Sequence, residues 1–257
     1  MTLLHNAPPA SGTHWQRVRA YGVHLYTASG VACAFLAAAE LCMQQPDPRW
    51  IFGWLMVAVL IDATDGPLAR AWQVKRHAAR IDGRTIDDIV DYLTFSFLPL
   101  LLVWRLAWLP WPAGLWAVAA MVVSLFGFAN TQAKQDEDGF FLGFPSYWNV
   151  YAFYAGLLYR YYGPTPVAAL LGVCTVCTLL PVRFLYPNRA PRRWRWLLNV
   201  TGVGWAGLLV GLLPQYPAIP LRLVWVSLLY PALYVGLSIA LDLTTRQQHR
   251  AGRHRAG

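Results

Sequence analysis

Runs of about twenty apolar residues recur along this chain, and a run of that length crosses a hydrocarbon core of roughly 30 Å as an α-helix. Eight such spans are expected, at about 22–43, 50–71, 85–108, 113–133, 147–162, 164–185, 195–213 and 217–241. No long polar stretch separates them. Of the residues, 57% are hydrophobic and 13% charged, which excludes an ordinary soluble domain. Many of the 13 Trp and 13 Tyr lie near the ends of the runs, where amphipathic rings favour the membrane interface. The expected class is all-α, a polytopic transmembrane helical bundle forming one integral membrane domain over residues 1–257.

The placement of Lys and Arg tests the span count. With eight spans both termini share one side, and all but Arg49, Arg105, Arg160 and Arg222 of the 21 Lys and Arg fall there. Cytoplasmic loops carry such an excess, so both termini are expected in the cytoplasm. Most of the net charge of +9 then faces anionic lipid head groups, which attract it without a nucleic-acid partner. Residues 1–21 read as a cytoplasmic, interfacial segment, with 11–21 suited to a short helix on the membrane surface. Residues 243–257 form a basic tail. The start of the chain lacks a secretory signal pattern, so the first run is expected to be retained. Cys174-x-x-Cys177 lies inside an apolar run and reads as a packing pair rather than a redox or zinc pair.

Six of the 12 acidic residues fall between positions 62 and 91. Charged groups against a bilayer are costly and are seldom idle. Asp62 and Asp65 are spaced i, i+3 at the cytoplasmic end of the second span, and Asp87 and Asp91 i, i+4 at the start of the third. Each pair shares a helix face. Asp88 is turned about 100° away and reads as a charge complementing the helix dipole. Asp82 reads as solvated. Four converging carboxylates repel one another, and divalent cations relieve that repulsion; all-oxygen ligands favour magnesium, manganese or calcium. The plainer alternative is two structural Asp–Arg pairs, which leaves the neighbouring glycines unexplained. Gly66 permits close backbone approach of a ligand, and Arg70 can fork onto a phosphate.

Asp62-x-x-Asp65-Gly66-x-x-Ala69-Arg70, followed by Gly83-x-x-x-Asp87-x-x-x-Asp91, resembles the signature of the CDP-alcohol phosphotransferase family. The connection from Ala71 to Asp82 is longer than that family's usual one and is similar to that of its bacterial phosphatidylcholine synthase branch. His24-Leu-Tyr-Thr27-Ala28-Ser29-Gly30 and Gly143-Phe144-Pro145-Ser146-Tyr147-Trp148-Asn149-Val150 also resemble that branch, so the likeness reaches about residue 160. The resemblance implies that family's fold, a homodimer, a bacterial cytoplasmic membrane and two manganese or magnesium ions. It implies Asp62, Asp65 and Asp87 as metal ligands, and Asp91 as ligand and general base. Gly66 and Arg70 would hold CDP-diacylglycerol, with Lys75 and Arg80 as further diphosphate contacts. The implied reaction is direct displacement of CMP by an alcohol at the lipid-bearing phosphorus.

For the branch, the alcohol is choline. A quaternary ammonium is recognised by aromatic faces and nearby negative charge. Tyr147, Trp148, Tyr151 and Tyr154, preceded by Asp136, Glu137 and Asp138, would supply both. The same aromatics also suit a helix anchored at the interface. His24 reads either as a polar contact near the site or as a packed core histidine. Serine, inositol or glycerol phosphate are alternative acceptors. An ion-coupled transporter is the distant alternative, although no internal repeat points to one.

Overall fold

The computed structural model describes residues 13–130, 134–135, 140–180, 183–185 and 192–256, apart from the side chains of 134–135, 192–193 and 245–256. The chain divides into two compact units, Met1–Pro99 and Leu100–Gly257.

The first unit opens with α1 (His14–Ala28) and α2 (Gly30–Leu41), which run on as one apolar helix from His14 to Leu41. Thr13 starts it with a capping box: the Gln16 amide donates to the Thr13 hydroxyl and the Gln16 side chain accepts from the Thr13 amide. Of the surface helix expected over 11–21, residues 11 and 12 lie outside the described residues; from His14 on it is continuous with the first span, because only Ser29 separates α1 from α2 and nothing there breaks the backbone. Next come α3 (Pro48–Ala71), capped by Asp47 with Pro48 in its first turn, then α4 (Val74–His77) and α5 (Gly83–Asp91). α1 packs on α3, α4 and α5, and α2 packs along α3. Ala20, Val23, Val74 and Ala78 form a buried cluster under Leu68 and Ala69. That cluster ties the long connection after Arg70 to α1.

α5 runs into a π-helical segment, Tyr92–Phe97. The cause lies in Pro99, whose ring has no amide to donate and collides with the carbonyl four residues back. A wider turn ahead of the ring relieves that clash, and such turns are frequent near functional sites. Here it follows Asp91 directly.

α6 (Leu98–Arg105) begins at the end of the first unit and continues into the second, which contains α7 (Ala113–Ala129), α8 (Trp148–Tyr162), α9 (Pro164–Leu179), α10 (Arg192–Leu212), α11 (Leu221–Ser227) and α12 (Leu229–Ala256). The second unit also holds a small antiparallel sheet in the order β1 (Lys134–Gln135), β2 (Phe140–Leu142), β3 (Arg183–Leu185), which an all-helical expectation does not contain. Phe141 sits opposite Lys134 on one side and Phe184 on the other. The sixth span was expected to reach residue 185, yet α9 stops at Leu179. Leu180 precedes a proline, which disfavours helical backbone, and it is extended. β3 then docks on α12: the Tyr234 hydroxyl donates to the Leu185 carbonyl at 2.9 Å, and the Leu185 amide donates to the Ser238 hydroxyl at 3.1 Å. Phe140, Phe184, Leu185, Leu198 and Tyr234 form the cluster around that joint.

Among the described residues, four helices are long and apolar enough to cross a membrane: His14–Leu41, Pro48–Ala71, Trp194–Gln215 and Leu221–Thr244. Ala113–Ala129 and Pro164–Leu179 are shorter apolar helices. α8, expected as the fifth span, has 15 residues, about 22 Å at 1.5 Å per residue. Leu25, Phe35 and Leu60 in the first unit, and Val203 and Leu229 in the second, turn large apolar side chains outward. Exposed apolar surface on that scale belongs against lipid. The chain is a multi-pass helical membrane protein.

Gly156 of α8 faces the Trp108 ring, whose edge would stand 2.6 Å from an added Cβ, whereas nothing lies within 4 Å of Gly172 on α9. Gly156→Val should therefore overpack the second unit and destabilise it by about 1–3 kcal/mol. Gly172→Ala should leave stability unchanged or raise it by up to about 1 kcal/mol. Thermal unfolding of the purified protein in detergent measures both.

Candidate metal centre

The last turns of α3 carry Asp62, Asp65, Gly66 and Arg70, and α5 carries Asp87 and Asp91. One carboxylate oxygen from each of Asp62, Asp87 and Asp91 lies within 4.8 Å of the others, and all three residues are half-buried. Oxygens that share one cation at 2.0–2.6 Å stand about 3–5 Å apart. The three groups therefore fit a divalent ion with little movement, and hard oxygen donors suit a hard cation.

Asp65 is placed differently. It is buried, and its Oδ2 accepts a 2.7 Å hydrogen bond from the Thr27 hydroxyl of α1. Helical geometry explains the split, since residues three apart are rotated by about 60° around the helix. Asp62 meets the α5 carboxylates while Asp65 meets α1. The Tyr26 and Thr64 hydroxyls, 2.7 Å apart, add a second link between α1 and α3.

Gly66 leaves bare backbone beneath Arg70, whose Nη1 would be 3.4 Å from a Cβ there. Arg70 itself is exposed, as are Lys75 and Arg80 on the connection. At the other half of the motif, Gly83 makes room for the His24 ring: a Cβ would meet Cε1 at 2.8 Å and Nδ1 at 3.0 Å. His24 is a buried, packed histidine, edge-on to Tyr21 at 6.4 Å. Gly30 similarly receives Val90, whose Cγ1 would stand 2.5 Å from a Cβ. Gly30 and Gly83 serve close helix approach.

The charge that caps α5 is Asp82. It accepts from the Arg84 amide at 3.0 Å and the Thr85 hydroxyl at 2.8 Å. The Thr85 hydroxyl, then the Arg84 amide, holds the Asp82 carboxyl below its ordinary range. Asp82 is solvent-exposed, in line with the sequence, and the Asp-Gly-Arg-Thr order already carries the cap signal. Asp88 instead pairs with Arg84 one turn back, at 3.6 Å. Thr27 carried no signal beyond its place in the His24–Gly30 stretch.

In the second unit, Trp148 and Tyr151 are buried in a 5.6 Å edge-to-face contact, and Tyr147 is half-buried beside Tyr234 at 6.2 Å. The Tyr151 hydroxyl donates to the Val167 carbonyl at 3.0 Å. The Tyr154 hydroxyl donates to the Ser227 carbonyl at 3.0 Å, and the Trp205 indole donates to that carbonyl at 2.9 Å. Asp136, Glu137 and Asp138 lie outside the described residues. Cys174 and Cys177 are free and partly buried.

A multi-pass helical protein that gathers carboxylates from two helices into a group able to hold a cation has the build of a membrane-embedded enzyme. No family model and no solved structure matches the chain. Curated relatives do. A phosphatidylcholine synthase of Pseudomonas aeruginosa is 37% identical over 235 residues, covering 89% of this chain and 94% of that protein. One of Bradyrhizobium diazoefficiens is 39% identical over 196 residues, covering 75% and 70%. One of Legionella bozemanae is 32% identical over 202 residues, covering 74% and 90%. The chain belongs to the phosphatidylcholine synthase family, and it is a phosphatidyltransferase.

Removing one carboxylate from the cluster should weaken cation binding, while changing a carboxylate outside it should not. Asp62→Asn is expected to lower manganese affinity of the purified protein by at least tenfold without unfolding it. Asp88→Asn is expected to leave affinity unchanged. Titration calorimetry without lipid substrate distinguishes them, and equal affinities would remove Asp62 from the ligand set.

Proposed function

We propose that this enzyme transfers the phosphatidyl group of CDP-diacylglycerol to choline, releasing CMP and forming phosphatidylcholine. The observation that carries the proposal is the meeting of Asp62, Asp87 and Asp91 within 4.8 Å, in a chain 37% identical to a phosphatidylcholine synthase. Asp62, Asp65, Asp87 and Asp91 would hold two ions, manganese or magnesium. Bound there, the ions would neutralise the diphosphate and stabilise departing CMP. Gly66 lets the donor approach the backbone, and the Arg70 guanidinium forks onto a phosphate. Asp91 accepts the choline hydroxyl proton as its oxygen bonds to the phosphorus that carries diacylglycerol. The bond from that phosphorus to the bridging oxygen breaks, and CMP leaves with the electron pair.

On the choline side, we propose Tyr147 as the aromatic face for the trimethylammonium group; Trp148 and Tyr151, expected beside it, are buried in packing and support the helix that follows it. We place the whole chain as one integral domain of eight spans in the bacterial cytoplasmic membrane. Both termini and the site face the cytoplasm, with the molecule as a homodimer. Support for the orientation comes from the distribution of Lys and Arg.

The test is the purified enzyme with CDP-diacylglycerol, manganese and a panel of labelled alcohols. Choline should enter lipid with release of CMP. Asp91→Asn should cut turnover by about 10²–10⁴-fold, the usual contribution of a general base. Label from serine, inositol or glycerol phosphate, with none from choline, would reassign the acceptor. Tyr147→Ala should raise KM for choline and leave KM for CDP-diacylglycerol unchanged. Equal changes in both, or in neither, would release Tyr147 from choline binding.

A further inference from the structure

We propose that Thr27 of α1 is a positioning residue for Asp65, so that a helix outside the carboxylate motif sets the cation affinity of the site. This rests on the metal-dependent reaction above, with Asp65 as a ligand.

What carries the proposal is that the Thr27 hydroxyl reaches a buried carboxylate on another helix, whereas Thr85 bonds only the carboxylate that caps its own helix. A hydroxyl in a helix normally satisfies itself on the carbonyl four residues back. Thr94 does so on Val90, Thr175 on Leu171, Thr178 on Cys174 and Thr201 on Leu197, at 2.6–2.9 Å. Thr27 instead donates across to α3, to Asp65 Oδ2 at 2.7 Å, with both residues buried. A hydroxyl has one proton to give, and here it goes to a carboxylate. The partner is neutral, so it orients the carboxylate without neutralising it and leaves its charge to a cation. A salt bridge at that place would compete with an ion; a threonine does not.

α1 is itself held on both halves of the motif. Tyr26 meets Thr64 at 2.7 Å, and the His24 ring fills the space above Gly83. Thr27 therefore presents its proton from a fixed position. Partners of this kind, one step behind a metal ligand, typically contribute 10–100-fold to metal affinity.

The experiment counts manganese bound to the full-length protein in detergent, by the loss of the free-ion electron paramagnetic resonance signal, with no lipid substrate present. Thr27→Val should weaken binding by about 10–100-fold. Thr27→Ser, which keeps the hydroxyl, should bind within about threefold of the parent. In an Asp65→Asn background Thr27→Val should change nothing further, because interacting residues are non-additive. Thr27→Ala reads the same quantity should the valine variant fail to fold. Parent-like affinity in the hydroxyl-free variants overturns the proposal, as does an undiminished effect in the Asp65→Asn background. A parent protein that binds no manganese overturns the metal-dependent reaction itself, a different result from an unaffected Thr27 variant.

Discussion

Carboxylates crowded beside a hydrocarbon phase repel one another more than they would in water, and the first unit of this protein is organised around that repulsion. At an effective dielectric of about 20, two unit charges nearly 5 Å apart repel by roughly 3–4 kcal/mol. Asp62, Asp87 and Asp91 form three such pairs. Helix packing brings the three groups together, and each also interacts with further neighbours that offset part of the repulsion. A divalent cation reverses the sign of the interaction, turning a strained cluster into a favourable one.

The packing that opposes the repulsion comes from close helix approach and from one long helix. Gly30 admits the Val90 side chain, which brings the acidic helix α5 against the start of α2. Gly83 admits His24, which brings the head of α5 against α1. On the opposite flank Val74 and Ala78 seat the connection on Ala20 and Val23. These contacts are apolar and non-directional. The directional ones lie between α1 and α3, through Thr27–Asp65 and Tyr26–Thr64. Dispersion and burial thus set how near the helices come, while hydroxyls set how the carboxylates are turned.

Much of this was legible in the sequence, and what was not has physical reasons. Apolar runs disclosed the membrane helices because hydropathy is nearly all a bilayer asks of them. The i, i+3 and i, i+4 spacings of the aspartates disclosed which pairs share a face. Spacing could not show that Asp62 and Asp65 would part company, since the 60° between them matters only once α1 lies against α3. Hydropathy also ran the sixth span through to residue 185, although the helix stops at Leu179, Leu180 is extended and Arg183–Leu185 joins a small sheet. The π-helical turn after Asp91 follows from Pro99, but a proline announces only that something must yield, not which turn widens. In the sequence Asp82 reads as solvated and Asp88 as the charge at the head of α5; the cap is Asp82, which accepts from the Arg84 amide, while Asp88 forms an ion pair with the Arg84 side chain.

A neutral donor on a buried carboxylate also bears on whether that carboxylate could take a cation. Asp65 is buried, and ionising it without a counter-charge is expensive in a low dielectric. An arginine would remove that expense permanently and would leave less for an ion to gain. Thr27 removes only part of it, holding the carboxylate in one orientation while its charge remains to be neutralised. The helix that carries Thr27 also carries the His24 that seats Gly83 at the head of α5. Displacing α1 would therefore disturb the orientation of Asp65 and the support of α5 together. The orientation of Asp65 at one half of the motif and the packing of α5 at the other thus both depend on a helix that contains none of the motif's residues.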